Sequence, residues 1–272
     1  MADIPPILLV GLGRMGGAML AGWRERGLAP SVAVDPAPEA AALAGADLTV
    51  VTAPDAIPAG FAPALVVLAI KPQAAATTLP AYARFTAGAG FLSIMAGRTI
   101  GGIRALLGGG APPAGTIVRA MPNTPAAVRQ AITVACPGPG VDPAQRALCE
   151  TLLGAIGEVA WVEDEALLDP VTAVSGSGPA YVFLLAELLE RAAIEQGIPP
   201  ALARRLARRT VSGSGALLGA STEDAAALRV AVTSPAGTTE RALQVLMAPE
   251  AWPDSIARAI AAATARSREL AG

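Results

Sequence analysis

Residues 7–16 read Ile-Leu-Leu-Val-Gly-Leu-Gly-Arg-Met-Gly, and this stretch decides the fold of the first half of the chain. The four apolar residues at its start predict a short strand that is buried on both faces. The three glycines fit a turn that binds a dinucleotide. Gly11 permits a tight turn, Gly13 lets a pyrophosphate approach the backbone, and Gly16 lets the following helix pack against the strand. The phosphates would then lie at the N-terminus of that helix.

The next apolar run, residues 31–34, predicts a second strand, and Asp35 follows it directly. A carboxylate at this position hydrogen-bonds the 2′-hydroxyl of a ribose and repels a 2′-phosphate. Residues 36–39 contain no arginine that could bind such a phosphate, so the sequence favours NADH over NADPH as the cofactor. Alternatively, Asp35 only begins the turn before Pro36.

Further apolar runs extend the predicted sheet. They lie at residues 48–51, 65–70, 91–94, 117–118, 132–136 and 158–162, and a helix is expected over 143–153. Open α/β sheets bind ligands at the carboxyl ends of their strands. The single lysine of the chain, Lys71, stands at such an end. We therefore expect residues 1–164 to form a Rossmann-type NAD(P)-binding domain of the α/β class.

Small residues connect this half to the next. Residues 175–178 read Ser-Gly-Ser-Gly, which predicts that backbone or ligand approaches closely there. An apolar stripe at helical spacing then begins at Ala180, and Gly197 ends that helix. The alternative is a flexible linker. The pattern from here on favours an all-helical C-terminal dimerisation domain over residues 165–272.

Four more helices are expected, over residues 199–218 and 222–232, from residue 239 through Leu243 and Leu246, and over 251–270, and Thr222 is the predicted cap of the second. The first carries an arginine cluster, interpreted as a solvated face or a subunit contact. Between the second and third helices, residues 234–239 offer hydroxyl groups and backbone N–H groups at a helix start, which can bind a carboxylate. An ordinary capped loop is the alternative. Helices of this size rarely form a core alone, so intertwining with a second chain is expected.

Composition excludes several classes of function. A net charge of −2 disfavours nucleic-acid binding by phosphate neutralisation. The absence of histidine removes the usual general base, the Ser-His nucleophile and most zinc sites. Cys136 and Cys149 fit no metal-binding spacing, which predicts no metal and a reducing, cytoplasmic location. Hydrophobic residues make up 53% of the chain, yet Gly, Pro or charges interrupt every long run, so no membrane span is expected.

Five motifs together resemble the pyrroline-5-carboxylate reductase family. They are Lys71-Pro72-Gln73 and residues 93–97, 118–125, 169–181 and 232–239. The resemblance implies hydride transfer from NAD(P)H to the C=N bond of Δ1-pyrroline-5-carboxylate, a cyclic imine, in the last step of proline biosynthesis. It also implies a homodimer formed through the helical domain, with a site shared between subunits. A decamer of dimers is the larger assembly that the family suggests.

The resemblance also assigns roles to residues. Thr239 and Thr172 match catalytic positions, and Thr239 would meet the ring nitrogen. The matching substrate-binding positions are Glu165, Ser234, Gly237, Thr238 and Thr239. The turn and the strand ends give the cofactor-binding positions, which are Gly11, Gly13, Arg14, Met15, Gly16, Asp35, Ala69, Ile70, Lys71, Pro72, Met95, Ala96, Gly97 and Asn123.

The sequence departs from the family pattern at several positions. Ala236 replaces a usual glycine, Val230 and Ala231 stand where polar residues are common, and Pro170 replaces a small residue. Residues 128–130, Val-Arg-Gln, lack the usual glycine and acid. These departures bear on the substrate loop more than on the type of reaction.

Two other functions compete with this one. The opening turn resembles the β-hydroxyacid dehydrogenases equally well, but those enzymes place a catalytic lysine in the helical domain and this chain has no lysine after Lys71. The third hypothesis is a binding protein that senses NAD(P) without turnover.

Overall fold

The computed structural model describes residues 4–108 and 115–271 and divides the chain into two compact units. The first unit comprises residues 1–176 and 263–272, and the second comprises residues 177–262. The first unit therefore receives both ends of the chain. The predicted division between residues 164 and 165 stays a prediction.

The first unit is built around one eight-stranded sheet. Its strands are β1 (Ile7–Val10), β2 (Ser31–Val34), β3 (Leu48–Val51), β4 (Leu65–Leu68), β5 (Gly90–Ser93), β6 (Ile117–Met121), β7 (Ala131–Pro137) and β8 (Gly157–Trp161), in the order β3-β2-β1-β4-β5-β6-β7-β8. Leu9 of β1 pairs with Ala33 on one side and Val67 on the other. The strand order reverses at this point, so the sheet has its switch point between β1 and β4.

The apolar runs predicted all these strands, with ends that differ by a few residues. The sequence did not show that β7 runs antiparallel to β6, whereas all other neighbouring strands are parallel. The antiparallel pair places the end of β7 at the opposite edge of the sheet from the end of β6.

The α-helices of both units follow the chain in order. They are α1 (Arg14–Glu25), α2 (Ala75–Thr78), α3 (Ile100–Leu106), α4 (Pro143–Gly154), α5 (Leu168–Val171), α6 (Gly178–Glu195), α7 (Pro200–Ala220), α8 (Ala225–Ala231), α9 (Thr238–Leu246) and α10 (Trp252–Ala271). Short 3-10 helices lie at Pro38–Leu43, Pro54–Ala56, Pro72–Ala74, Leu79–Phe85, Thr124–Val128 and Glu165–Leu167. The helix of residues 100–106 was not predicted, because its two glycines hide the apolar pattern.

Apolar side chains cover the strands of the sheet and form two buried clusters. Trp23 of α1 belongs to one cluster and is 1% exposed, and its indole N–H donates to the carbonyl of Leu152 in α4 at 2.9 Å. Tyr82 and Phe91 belong to the other cluster, and both are fully buried. The first unit thus makes a core from its own side chains.

The segment before α6 corrects the sequence analysis. Helical structure begins at Glu165 rather than at Ala180, and Thr172–Gly176 forms a π-helical turn, so the flexible linker is excluded. A Cβ on Gly176 would lie 2.5 Å from the Cε atom of Met121, the flexible end of a side chain that would have to shift. The neighbouring atoms belong to side chains, so the expected approach of backbone or a ligand stays a prediction.

The continuous helix has a second consequence. Glu165–Glu195 is long and apolar enough, by length and composition, to cross a membrane, and it is the one such helix among the described residues. The sequence analysis expected no such segment because Gly176, Gly178 and Pro179 interrupt the run. Only 6% of its most apolar stretch is buried, so this helix exposes an apolar surface.

The second unit contains α6 to α9 and the first part of α10, and few of its side chains are buried. Ala203 and Ala207 are its only buried residues among those described. The predicted cap of α8 was wrong, since Asp224 rather than Thr222 caps the helix and accepts the N–H of Ala227 at 2.8 Å. Asp224 stands directly before the first helical residue, whereas Thr222 lies two residues earlier.

Candidate active site

Backbone carbonyl groups fill the space beside two glycines of the turn after β1. Gly11 has a φ of +99°, and a Cβ there would lie 2.6 Å from the carbonyl oxygen of Ala69, across the switch point. A Cβ on Gly16 would lie 2.1 Å from the carbonyl oxygen of Gly11. A Cβ on Gly13 would meet no atom within 4 Å, so this glycine faces open space. The geometry leaves room for a ligand at Gly13 and none at the other two glycines.

Asp35 stands at the end of β2 and contacts the glycine turn. One carboxylate oxygen accepts the N–H of Leu12 at 2.6 Å, and the other accepts the N–H of Ala37 at 2.9 Å. The carboxylate therefore begins a turn, as the alternative interpretation expected, and it also borders the glycine loop, while its contact with a ribose stays a prediction. Each oxygen keeps a free lone pair that could accept a further hydrogen bond.

A cleft of about 250 Å³ lies where the parallel strands end. Its lining consists of Met15, Ala69, Ile70, Ile94, Met121, Pro122, Asn123, Thr124 and Gly176. Four of the predicted cofactor residues are among them. The carboxamide oxygen of Asn123 accepts the N–H of Ile132 at 3.1 Å, so its NH₂ group is the part that a ligand could use.

Other predicted cofactor residues lie beside this cleft rather than in its lining. Lys71 is exposed. Pro72 accepts a hydrogen bond from Arg98 at 3.0 Å through its carbonyl oxygen. The side chain of Met95 is 1% exposed and packs in the core, and Gly97 lies against Leu270 of α10. Met95, Ala96 and Gly97 could therefore reach a cofactor mainly through their backbone.

These residues fit a dinucleotide. Helix α1 is 12 residues long and has no acidic residue in its first turn, so its free N–H groups and dipole favour a phosphate. Arg14 is exposed at the same helix start and adds a positive charge. Two glycines shape the turn, a third leaves it open, and Asp35 stands where a ribose hydroxyl would lie.

Glu165 lies elsewhere in the first unit and is held by two donors. Its Oε1 atom accepts a hydrogen bond from Nη1 of Arg119 at 2.9 Å and from the N–H of Ile100 at 2.8 Å. Arg119 lies on β6 and is 3% exposed, so this ion pair is largely desolvated. Glu165 thereby ties three elements together, and it also borders a separate cleft of about 720 Å³ that includes Arg104 and Arg146.

Thr172 lies in the π-helical turn, beside Gly176 of the cofactor cleft. Its hydroxyl group donates to the carbonyl of Leu168 at 2.7 Å, and Ser175 donates to Val171 at 3.0 Å in the same way. Such π-turns are frequent at functional sites. The Thr172 oxygen keeps its acceptor capacity for a ligand.

The loop of residues 234–239 belongs to the second unit. Gly237 is the N-cap of α9 and brings no side chain to cap it, and its N–H donates to the carbonyl of Ser234 at 3.0 Å. Thr238 and Thr239 form the first two helical positions. Ala236 has a φ of +58°, a left-handed conformation that glycine adopts far more readily. The alanine that departs from the family pattern therefore occupies a position where glycine is favoured.

In the first unit, Arg129 also has a left-handed conformation in a segment that departs from the family pattern. It is the other described non-glycine residue with a positive φ, 61°, and it stands in the segment that lacks the family's glycine. Its guanidinium group binds Glu25 with a shortest distance of 2.6 Å. This contact lowers the pKa of Glu25 and raises that of Arg129, chiefly through the side-chain hydrogen bond.

Some contributors to the site escaped the sequence analysis. Ile94, Met121 and Gly176 line the cleft and Arg119 holds Glu165; all four lie in the motifs that carry the family resemblance, but the sequence analysis gave them no role in the site. Ser267 of α10 donates to Asp169 at 2.7 Å, a pairing across 98 positions that no local pattern reveals. Among the described residues no group of His, Cys, Asp or Glu could hold a metal ion.

Family comparisons bear on both halves of the chain. Residues 165–270 match the family model described as pyrroline-5-carboxylate reductase dimerisation, and residues 6–97 match NADP oxidoreductase, coenzyme F420-dependent. A pyrroline-5-carboxylate reductase of Pseudomonas aeruginosa is 36% identical over 270 residues, covering 98% of this chain and 97% of the relative.

Solved structures agree with these matches. A pyrroline-5-carboxylate reductase of Coxiella burnetii superposes with a TM-score of 0.88 at 30% identity, covering 99% of this chain and 100% of the other. The Plasmodium falciparum pyrroline carboxylate reductase with NADP bound has a TM-score of 0.82 at 24% identity, covering 100% of both chains, which shows the shared fold.

The nucleotide-binding sheet, its glycine turn and the helical region together define an NAD(P)-dependent oxidoreductase with an oligomer-forming helical part. Within that class, the chain belongs to the pyrroline-5-carboxylate reductase family.

Proposed function

We propose that this chain reduces the C=N bond of Δ1-pyrroline-5-carboxylate to give L-proline. The observation that carries the proposal is the 36% identity to a reductase of that name over 98% of the chain. The shape of the glycine turn and of the cleft beside it adds independent support. The lack of a lysine after Lys71 speaks against a β-hydroxyacid dehydrogenase.

The proposed reaction needs little general acid–base catalysis by the protein. A reduced nicotinamide, when bound, supplies the hydride, and the imine nitrogen can arrive already protonated. Positioning of two reactants can contribute about 7–11 kcal/mol, whereas a general acid typically contributes about 3–5 kcal/mol. A chain without histidine can therefore work mainly by orientation.

The proposed roles follow from this division. The turn from Gly11 to Gly16 holds the dinucleotide phosphates, and the cleft beside Ala69 and Asn123 holds its nicotinamide end. The loop of residues 234–239 binds the substrate's carboxylate, and Thr239 hydrogen-bonds its ring nitrogen. Thr172 is a second candidate for substrate contact. Glu165 acts by holding Arg119, and its predicted contact with substrate stays a prediction.

For the cofactor, we propose that NADH is preferred over NADPH. Asp35 is fixed beside the glycine turn by two backbone N–H groups, and its charge would repel a 2′-phosphate. The NADP bound to the Plasmodium protein is the strongest observation on the other side. A ratio of kcat/KM that favours NADPH would overturn this part of the proposal.

For the assembly, we propose a homodimer through residues 165–272, with dimers assembled further, up to a decamer of dimers. The exposed apolar surface of Glu165–Glu195 would be covered by the second chain, which explains it without a membrane. Both cysteines are free and buried, which fits the predicted cytoplasmic location.

One assay tests the function directly. Purified protein is mixed with Δ1-pyrroline-5-carboxylate and either NADH or NADPH, and absorbance of the reduced nicotinamide is followed while L-proline is measured. We expect loss of absorbance with equimolar proline. Binding of the dinucleotide without turnover would favour a sensor, and turnover confined to hydroxyacids with oxidised cofactor would favour the dehydrogenase.

A further inference from the structure

Glu240 contacts the loop that the proposed function assigns to the substrate. It lies in the first turn of α9, and its Oε2 atom accepts the N–H of Ala236 at 2.8 Å. This is the backbone N–H of the loop residue with a φ of +58°. The side chain of Glu240 thus reaches back from the helix and holds Ala236, the strained residue that precedes the helix.

Two consequences follow from this contact, and they oppose each other. The hydrogen bond holds Ala236 in its left-handed conformation. Glycine would adopt this conformation without steric cost, whereas alanine adopts it at a cost. The charge of Glu240 stabilises the start of the helix. The same charge lies close to the N–H groups that would receive a carboxylate, so it competes with that ligand.

We propose that Glu240 is a positioning residue of the substrate loop, which rests on the function proposed above. Its hydrogen bond to Ala236 keeps the loop in the shape that receives the substrate's carboxylate. Its charge limits how tightly that carboxylate is held. The role concerns the ground-state binding of substrate and product, so KM is expected to change more than kcat.

Three variants separate the hydrogen bond from the charge. Glu240→Gln keeps an acceptor and removes the charge, whereas Glu240→Ala removes both. Glu250→Gln removes the same charge beyond the C-terminal end of α9, which ends at Leu246, and serves as the matched control. Steady-state kinetics are measured with saturating cofactor, and calorimetry measures L-proline binding in the presence of oxidised dinucleotide.

We expect Glu240→Ala to raise KM about tenfold, the net of an about thirtyfold rise from the lost hydrogen bond to a charged group and an about threefold fall from the removed charge. Glu240→Gln should lower KM and the dissociation constant of L-proline about threefold, as for a partly solvated charge. In both variants kcat should stay within about twofold. Glu250→Gln should match the parent protein in all three quantities.

A fourth variant ties the effect to Ala236. In an Ala236→Gly background the loop no longer needs the hydrogen bond to hold its shape, so only the loss of charge remains and Glu240→Ala should lower KM about threefold. A full tenfold effect in that background, or an unchanged KM in Glu240→Ala and Glu240→Gln alike, would overturn the proposal. If the parent protein itself shows no turnover, the proposed function fails instead, and the two failures are distinct.

Discussion

The two units of this chain differ in how they bury their large side chains. In the first unit Trp23, Tyr82 and Phe91 are 1% exposed or less, whereas Phe183 in the second unit is 67% exposed. The first unit therefore has a core in which these large side chains are buried. The second has an apolar surface that needs another chain to cover it, as the dimerisation family model over residues 165–270 also indicates. Cofactor binding and assembly are thus separable properties, and mutations can test that separation.

The largest effect is expected from Gly16→Ala in the first unit. The added Cβ would lie 2.1 Å from the Gly11 carbonyl, and a backbone atom cannot rotate away as a side chain can. Overpacking costs of about 3 kcal/mol correspond to about a hundredfold weaker NADH binding. Titration calorimetry would measure the affinity, and sedimentation would show whether the oligomer persists.

Gly17→Ala is the matched control, since its Cβ would lie 3.7 Å from the Leu12 carbonyl, an ordinary contact. This variant should bind NADH within about twofold of the parent protein. Equal affinities of the Gly16→Ala and Gly17→Ala variants would break the comparison, because they would show that the turn is not tightly closed.

Phe183→Glu tests the second unit. Placing a charge on its apolar surface should weaken self-association about a hundredfold or more, as expected when a large interface side chain is lost. Val128→Glu is the matched control, because Val128 is 68% exposed but lies in the first unit, outside the dimerisation match. Sedimentation equilibrium that gave the same result for both variants would contradict the assignment of the interface.

Thr239→Ala tests whether the second unit contributes to the reaction and not to cofactor binding. Loss of its hydroxyl group should lower kcat about ten- to a hundredfold while NADH affinity stays unchanged, because the dinucleotide contacts lie in the first unit. Thr222→Ala, an exposed threonine that does not cap its helix, should leave both quantities unchanged. Normal turnover of Thr239→Ala would remove this residue from the mechanism.

A pH-dependent loss of stability is expected in the first unit, because both cysteines lie there. Burial raises the pKa of Cys149 from 9.0 to about 12. The unfolded thiol therefore ionises first, so stability is complete below pH 9 and falls as pH rises toward 12, by up to about 1.4 kcal/mol per pH unit.

Urea unfolding between pH 8 and 10.5 would measure this loss. Cys149→Ala should show a shallower fall than the parent protein, with part of the slope remaining because burial also raises the pKa of Cys136. Parallel slopes would show that Cys149 ionises equally in the folded and unfolded states.

The sequence predicted the strands well because each is an uninterrupted apolar run between turn residues. It failed where the outcome depends on partners distant in the chain. The π-turn at Thr172–Gly176 lies against Met121, more than 50 positions away, and the ion pair of Arg119 with Glu165 joins residues 46 positions apart. Predicted site residues of the first unit, such as Ala69 and Asn123, converge because parallel strands end at one edge. For Thr239 and its loop no such rule exists, so their role rests on family resemblance.

Because the chain returns to the first unit after forming the second, the two units are completed in a defined order during synthesis. Residues 263–271 belong to the first unit, where Ser267 meets Asp169 and Leu270 meets Gly97. A ribosome releases the whole helical unit before these residues, so the nucleotide-binding unit is begun first and completed last. Until then the first unit lacks the residues that meet Asp169 and Gly97.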